Sequence, residues 1–210
     1  MLLIDDLIKF GYLETPEIIQ AFKINKRLDF VLPQDKARAE LDVALSIGYG
    51  QTISQPATVA FMLEKLRPRS GEKILDVGVG SGWTAALLAS LVAPSGKVYG
   101  LERICQLVDF AIANVNKYNY ITKGIVQIIC ADGYNGLPEF APFDKILVSA
   151  VAEEIPEKLL QQMKVGGRMV LPIGKKFHTQ SIFVIDKTGE NEFFKKEYPG
   201  FIFVPLVKVR

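Results

Sequence analysis

The sequence predicts an α/β fold with a doubly wound, mostly parallel β-sheet, and two observations carry that prediction. Short apolar runs typical of buried parallel strands alternate with helical segments from about residue 73 onwards. The first run, residues 74–77, passes directly into a glycine-rich turn, and residues 84–91 beyond the turn are rich in good helix formers. Strand, glycine loop and helix in this order are typical of Rossmann-like folds, in which a bound ligand lies across the loop.

The composition is that of one globular domain. A chain of 210 residues with 49% hydrophobic and 23% charged residues can bury a substantial core, and no apolar run is long enough to span a bilayer. The N-terminus lacks a basic lead, and Asp5 and Asp6 interrupt its apolar run, so it does not resemble a secretory signal. We therefore expect a cytoplasmic protein with no membrane partner.

Charge and cysteine usage give no indication of nucleic-acid or metal binding. The formal net charge is +2, and the basic residues are scattered and form no continuous stripe. Binding to nucleic acid is therefore not indicated. Cys105 lies at a predicted helix start and Cys130 at a predicted strand end. Because they form no metal or redox motif, we interpret both as core or surface filler and expect no metal site.

The N-terminal part is predicted to be helical. Residues 2–10 have helical spacing, and Thr15 is expected to cap a second helix with Pro16 in its first turn. Residues 26–41 are interrupted by proline and predict short helices packed over one edge of the main fold.

Residues 47–56, IGYGQTISQP, are predicted to be an irregular loop because they combine two glycines with polar side chains and no apolar period. Ser54 or Gln55 could cap the following helix, residues 57–66. On spacing alone, a capping function is the simpler interpretation of Ser54.

The rest of the chain continues the alternation and closes with a hairpin. The predicted strands are residues 97–101, 126–129, 145–149 and 168–171, with helices at 106–117 and 156–163 between them. Residues 180–186 and 201–206, with a turn at Thr188-Gly189, predict a closing antiparallel hairpin. We expect one domain over residues 1–210, with an N-terminal helical segment and loop (1–55) and a Rossmann-like core with the hairpin (56–210).

The spacing of the glycines indicates the ligand. Dinucleotide-binding loops have the pattern G-x-G-x-x-G, whereas this loop reads G-x-G-x-G with Trp83 in the next position. With an aspartate two residues before the first glycine, the segment resembles motif I of the class I S-adenosylmethionine methyltransferases. The residues that this resemblance implies for cofactor binding are Asp76, Gly78, Gly80, Ser81 and Gly82.

Two further carboxylates follow predicted strands, at the edge where ligands of open α/β sheets bind. Glu102 can accept hydrogen bonds from ribose hydroxyls, with Arg103 beside it, and Asp132 can accept one from the adenine amino group, with Gly133 beside it. The alternatives are a solvated strand end for Glu102 and a turn-forming Asp-Gly pair for Asp132.

Several segments together resemble one family, the protein-L-isoaspartate O-methyltransferases, over residues 27–206. The match is ordered along the chain and includes a G-x-G-Q-T-I-S loop that is peculiar to this family among methyltransferases. The matching segments are residues 48–54 (GYGQTIS), 132–133 (DG), 141–144 (APFD), 155–156 (IP), 166–168 (GGR), 171–174 (LPIG) and 203–206 (FVPL).

The resemblance implies a site and a substrate. It makes Ser54 the active-site residue, and it implies that Gln51, Thr52, Ile53 and Ser54 wall off the reactive end of S-adenosylmethionine. A strand at residues 203–206 is expected to hold the substrate peptide; with Ser54, its implied substrate-binding residues are Val204, Pro205 and Leu206. The implied fold is that of a class I methyltransferase, the product is S-adenosylhomocysteine, the partners are isoaspartyl peptides and proteins, and the chain is expected to be a monomer.

The implied reaction needs no general base. The acceptor is a carboxylate with a reference pKa of about 4, so it is ionised at neutral pH. The only histidine, His178, lies in a polar loop and is expected at the surface. The chain departs from the family pattern at Glu40, Ser46 and Ala57. These positions are expected near the peptide cleft, so the departures bear on which acceptor is methylated. Two alternatives stay open: a methyltransferase of this fold acting on another carboxylate or a small molecule, and a cofactor-binding module without turnover.

Overall fold

A computed structural model describes residues 3–175 and 178–207. Its centre is a seven-stranded mixed sheet, and a separate two-stranded hairpin precedes it in the chain. The strands are β1 (Leu45–Gly48), β2 (Gln51–Ile53), β3 (Lys73–Val77), β4 (Lys97–Glu102), β5 (Val126–Cys130), β6 (Phe143–Val148), β7 (Met163–Ile173), β8 (Gln180–Lys187) and β9 (Phe193–Phe201). The α-helices are α1 (Leu3–Lys9), α2 (Pro16–Ile24), α3 (Pro56–Leu66), α4 (Trp83–Val92), α5 (Cys105–Asn116) and α6 (Glu157–Gln161), and 3₁₀ helices occupy Arg27–Phe30, Pro33–Arg38 and Pro138–Phe140.

The strand order confirms the doubly wound sheet. It runs β5-β4-β3-β6-β7-β8-β9, parallel from β5 to β7 and antiparallel for β8 and β9. The chain winds outward from β3 to β5 and then returns to β6 on the other side of β3. The winding direction therefore reverses between β3 and β6, and a ligand crevice opens there at the carboxyl ends of the strands.

Both faces of the sheet are buried, as its parallel strands require. Alternate residues of β3 show this, because Ile74 packs in one hydrophobic cluster and Leu75 in the other. The first cluster contains the buried side chains of α3, α4 and α5 and of the N-terminal helices. The second is covered by α6, through Leu159, and by Leu137 with the 3₁₀ helix that follows it, through Phe140.

The prediction of an irregular loop at residues 47–56 was wrong. Residues 45–53 form the β1–β2 hairpin, in which Leu45 pairs with Ile53 and Ser46 with Thr52. Alternate side chains of β1 are buried, since Leu45 and Ile47 are each 2% exposed. The hairpin therefore has an apolar inner side and is fixed on the domain.

The closing hairpin also differs from the prediction. β8 pairs with residues 193–201, not with 201–206. β9 is an edge strand with one neighbour, so it tolerates the exposed charges of Lys195, Lys196 and Glu197 that made it look unlike a strand. The more apolar segment after it lies elsewhere, over the carboxyl ends of the sheet.

Two residues predicted as helix caps do precede their helices, but their side chains make no capping hydrogen bond. Thr15 is the residue before α2, yet its hydroxyl donates to Glu64 Oε2 at 2.6 Å and so ties α2 to α3. Gln55 precedes α3 without a side-chain cap, and the Ala57 amide instead donates to Asp42 Oδ1 at 2.8 Å. Residue 2 of the predicted first helix lies outside the described residues.

The interpretation of the two cysteines as filler was wrong, because Cys105 and Cys130 form a disulfide. Cys105 begins α5 and Cys130 ends β5, and Cys130 pairs in register with Glu102 on β4. Parallel neighbours end at the same edge of the sheet, so cysteines 25 positions apart in sequence meet there. The bond lies at the carboxyl ends of the strands, the edge of the sheet at which the crevice opens.

Replacing both cysteines, Cys105→Ser with Cys130→Ser, is expected to lower the free energy of unfolding by about 3 kcal/mol, because the bond closes a loop of moderate length in the unfolded chain. Urea unfolding followed by circular dichroism measures the loss. The unreduced, denatured wild type should show no thiol reactive with Ellman's reagent. As a control, reductant should destabilise the wild type and leave the double variant unchanged; equal stability of the two proteins without reductant would contradict the stabilising role.

Two expectations about the surface and the membrane can also be compared with the structure. Among the residues that the structure describes, none of the helices has the length and apolar character needed to cross a bilayer. His178 is exposed in a bend before β8, which confirms its predicted surface position.

Candidate active site

A cleft at the carboxyl ends of the parallel strands brings together most of the predicted site residues. About 740 Å³ of space free of protein atoms lies within it, and this volume includes open solvent. Its walls come from the glycine loop, the β1–β2 hairpin, the ends of β4 and β5, and the C-terminal segment. The predicted residues that line it are Gln51, Thr52, Ile53, Ser54, Gly78, Gly80, Ser81, Glu102, Arg103, Gly133, Val204, Pro205 and Leu206.

The glycine loop approaches the cleft with its backbone. Gly80 has a φ of 55°, and a Cβ there would lie 3.0 Å from Ile47 Cδ1 of the hairpin. Gly82, which the resemblance implies for cofactor binding, is not among the residues that line the cleft. It precedes α4 with a φ of 95°, and a Cβ would lie 2.8 Å from Val115 Cγ2, so glycine is needed for close packing of α4 on α5. Gly82 therefore supports the loop by allowing this close packing.

Glu102 holds the loop and also faces the cleft. Its Oε2 accepts the Gly80 amide at 3.1 Å, its Oε1 accepts the Ile104 amide at 3.0 Å, and the residue is 7% exposed. Each carboxylate oxygen has lone pairs for a further bond, so Glu102 can accept two hydrogen bonds from a cis-diol without losing these contacts.

Asp76 lies beneath the loop, outside the lining of the cleft. It is 0% exposed; its Oδ2 accepts the Thr84 hydroxyl at 2.7 Å, and its Oδ1 is buried without a hydrogen-bond partner in the protein. Burial, opposed by the Thr84 hydrogen bond and assisted by the charge of Glu102, raises the pKa of Asp76 from 3.8 to about 7. The ligand-free fold therefore takes up a proton between these values, so its stability falls as the pH rises through that window. A buried acceptor of this kind suits a cationic donor.

Asp132 is also outside the lining, although its neighbours Ala131 and Gly133 are part of it. Its Oδ1 accepts the Tyr134 amide at 2.9 Å, the contact of a turn-forming aspartate. Gly133 keeps the adjacent wall thin, because a Cβ there would lie 2.6 Å from Val77 Cγ1 and 3.1 Å from Leu206 Cδ1.

The C-terminal segment closes one side of the cleft. The Val151 amide donates to the Val204 carbonyl at 2.9 Å, and the Leu206 amide donates to the Val151 carbonyl at 2.8 Å. This short parallel bridge beyond β6, centred on Pro205, takes the place of the strand expected at residues 203–206. The segment presents apolar side chains and backbone groups opposite the hairpin.

Sequence reasoning missed several lining residues. Trp83, the first residue of α4, lines the cleft, and so do Ser149 and Ala150 after β6. A signal for the last two existed, because they follow the strand on the other side of the reversal point. Trp83 was noted only for breaking the dinucleotide pattern, yet its indole N–H donates to the Asn25 carbonyl at 3.0 Å and ties the cleft to the N-terminal helices.

These features fit S-adenosylmethionine better than a phosphate-bearing nucleotide. Glu102 matches a ribose, and the partnerless Asp76 Oδ1 matches an amino group. The loop, meanwhile, is accompanied by carboxylates, which would repel phosphate. The fold and the cleft together define a class I S-adenosylmethionine-dependent methyltransferase.

Comparison with known proteins gives the particular family. The sequence profile of the protein-L-isoaspartate(D-aspartate) O-methyltransferases matches residues 1–210. A protein-L-isoaspartate O-methyltransferase from Methanopyrus kandleri is 43% identical over 205 residues, covering 98% of this chain and 89% of that protein. One from Staphylothermus marinus is 41% identical over 209 residues, covering 97% of this chain and 92% of that protein.

A solved structure agrees. The crystal structure of a putative protein-L-isoaspartate O-methyltransferase from Plasmodium falciparum, in complex with S-adenosyl-L-homocysteine, has a TM-score of 0.89 and 26% identity, covering 99% of this chain and 97% of that one. The chain belongs to the protein-L-isoaspartate O-methyltransferase family. It is an enzyme that uses S-adenosylmethionine to methylate L-isoaspartyl residues of proteins.

Proposed function

We propose that the cleft aligns the free carboxylate of an isoaspartyl residue with the methyl donor, and that Ser54 is the residue that orients this carboxylate. The observation that supports the proposal most strongly is the position of the hairpin. Residues 51–54 line the same cleft as the glycine loop and the 204–206 segment, which supports a site in which the cofactor and the peptide meet at Ser54.

The cofactor side is assigned to the glycine loop and its supporting carboxylates. Glu102 binds the ribose hydroxyls, and Asp76 faces the amino group. Gly78, Gly80 and Ser81 contribute backbone, and Arg103, Asp132 and Gly133 surround the adenine end. When bound, S-adenosylmethionine supplies a methyl group on a positively charged sulfur. The Gln51–Ile53 strand covers this reactive end and limits the access of water.

The residues on the acceptor side orient the carboxylate of the acceptor and do not activate it. The carboxylate of the acceptor is already ionised, so Ser54 is needed only as a single neutral hydrogen-bond donor that fixes the direction of attack. A charged donor would hold the electrons of the carboxylate more strongly and make it a weaker nucleophile. Val204, Pro205 and Leu206 hold the peptide through apolar contact and through backbone groups that the bridge to Val151 does not use. The methyl ester then closes to a succinimide without further help from the protein, and hydrolysis returns some normal aspartate.

One assay tests this function against the methylation of another acceptor and against binding without turnover. Two peptides identical except for an isoaspartyl or an aspartyl residue are incubated with the enzyme and methyl-labelled S-adenosylmethionine. We expect label in the isoaspartyl peptide alone, released by mild base as expected for an ester. Equal labelling of both peptides, or tight cofactor binding with label in neither, would contradict the proposal.

The assignment of Asp76 predicts a pH-dependent affinity for S-adenosylhomocysteine. A ligand ammonium requires the ionised carboxylate, whereas the free protein holds Asp76 with a pKa of about 7. Between pH 7.5 and 5.5 the affinity should therefore fall about 20-fold. Titration calorimetry at both pH values measures this change. Asp76→Asn should bind more weakly but with little pH dependence; a pH-independent wild type would show that Asp76 does not face the amino group.

A further inference from the structure

A buried guanidinium lies behind the β1–β2 hairpin and outside the residues assigned to cofactor and substrate. Arg27 begins the first 3₁₀ helix and is 2% exposed. Arginine is almost never this deeply buried unless it is paired. Both Nη atoms of Arg27 donate to main-chain carbonyls, whereas Nε is buried without a hydrogen-bond partner in the protein. The side chain therefore fixes the path of the backbone through its two Nη atoms.

The contacts of Arg27 converge on the two chain segments that flank the hairpin. Nη1 donates to the carbonyls of Ala39 at 3.0 Å and Leu41 at 3.2 Å. Nη2 donates to the carbonyl of Val43 at 2.7 Å, just before β1, and to that of Ser54 at 3.1 Å, just after β2. One guanidinium nitrogen thus bridges the beginning and the end of the hairpin at Ser54 itself.

Asp42 reinforces the same junction from the other side. Its Oδ2 accepts the Gln55 side-chain amide at 2.9 Å, and its Oδ1 accepts the Ala57 amide at 2.8 Å. The residue before Val43 therefore holds the residues after Ser54, while Arg27 holds Ser54. The start of α3 and the end of the hairpin become one rigid unit.

Arg27 also contacts the cofactor side of the cleft. Its guanidinium carbon lies 5.6 Å from the centre of the Trp83 ring, within the range of cation–π contact, and Trp83 lines the cleft. Burial lowers the pKa of Arg27 to about 10, with Asp42 and Glu40 opposing the shift, so the side chain is still charged at neutral pH. The same group touches the cofactor wall and the serine that faces the acceptor.

We propose that Arg27 is a positioning residue: it sets the place of Ser54 relative to the Trp83 wall of the cleft, by holding the Ser54 carbonyl. This inference rests on the proposed function of Ser54 and extends it. Misplacement of a reacting group by about 1 Å costs about 100-fold in rate, so loss of these bonds should act on turnover. A fork of rigid donors suits the four acceptors, and the flexible ammonium of lysine replaces it only in part.

The test compares Arg27→Met and Arg27→Lys with a matched control, Arg38→Met. Arg38 lies in the next 3₁₀ helix, and its exposed side chain pairs with Asp35. We expect kcat for the isoaspartyl peptide to fall about 100-fold in Arg27→Met and less in Arg27→Lys. The dissociation constant of S-adenosylhomocysteine should change less than about threefold, and Arg38→Met should behave as wild type.

A purely structural function would give a different pattern. Cofactor affinity, Tm and kcat would then fall together, and hydrogen exchange would rise across the whole sheet. The proposal requires faster amide exchange confined to residues 45–57 in the Arg27 variants. Unchanged kcat in Arg27→Met, or a parallel loss of cofactor affinity, would overturn it.

The two proposals can be separated. If the wild type transfers no methyl group to the isoaspartyl peptide, the proposed function fails. The positioning of Ser54 by Arg27 is then judged by hydrogen exchange alone: local acceleration at residues 45–57 supports it, and unchanged exchange refutes it. If Arg27→Met does not fold, Arg27→Lys supplies both measurements.

Discussion

Ser54→Ala is expected to lower kcat/KM for an isoaspartyl peptide by about 100-fold or more, the usual effect of removing one oriented hydrogen-bond donor from a reacting centre. The hydroxyl is assigned to the carboxylate acceptor, and the backbone of Ser54 would still be held by Arg27. Cofactor affinity should therefore change little. Initial rates with labelled S-adenosylmethionine and calorimetry with S-adenosylhomocysteine give the two quantities.

The matched control is Ser95→Ala. Ser95 is exposed in the turn before β4, at the amino ends of the parallel strands and so at the edge of the sheet opposite the cleft, and its loss should leave turnover within about twofold. Unchanged turnover in Ser54→Ala would remove Ser54 from the active site. A loss shared equally by Ser95→Ala would point to a loss of stability and not to chemistry.

Glu102→Ala is expected to weaken binding of S-adenosylhomocysteine by about 100-fold or more. The substitution removes the proposed bonds to the ribose and also releases the amides of Gly80 and Ile104, and hydrogen bonds to a charged group contribute about 1.5–3 kcal/mol each. Glu102→Gln keeps the shape but replaces one acceptor by a donor, so it should be intermediate. Calorimetry measures the three affinities.

Glu139→Gln serves as the control for Glu102, since Glu139 is exposed in the 3₁₀ helix before β6. It should bind the cofactor as the wild type does. If Glu102→Ala retained wild-type affinity, Glu102 would be a support of the glycine loop only, and the ribose would lie elsewhere.

The sheet was predictable because its signals are local. Each parallel strand is a short apolar run, and glycines mark the turn after β3, so the alternation predicted a doubly wound sheet with its ligand at the carboxyl ends of the strands. Glu102 was predictable for the same reason, as a carboxylate at the end of a strand. The order of the strands was not predicted and comes from the structure. Asp76 was expected to face the cofactor, and that assignment is kept as a proposal, but its burial beneath the loop and the hydrogen bond from Thr84 could not be predicted from the sequence.

The remaining features depend on contacts that no local pattern encodes. The alternation of Leu45 and Ile47 was a weak signal for β1, hidden by the glycines that follow. β9 was missed because an edge strand accepts charged residues. The disulfide needed the register of β4 and β5, in which Glu102 and Cys130 are partners. The contacts of Arg27 could not be predicted, because its acceptors are main-chain oxygens of residues distant in sequence.

A crystal structure of the protein with S-adenosylhomocysteine and an isoaspartyl peptide would measure the distance on which the proposed function depends. We expect Ser54 Oγ within about 3 Å of the isoaspartyl carboxylate, whose nearer oxygen should face the sulfur, with both Glu102 oxygens on the ribose hydroxyls. A peptide carboxylate bound away from Ser54, or a ribose that does not contact Glu102, would contradict the proposed arrangement.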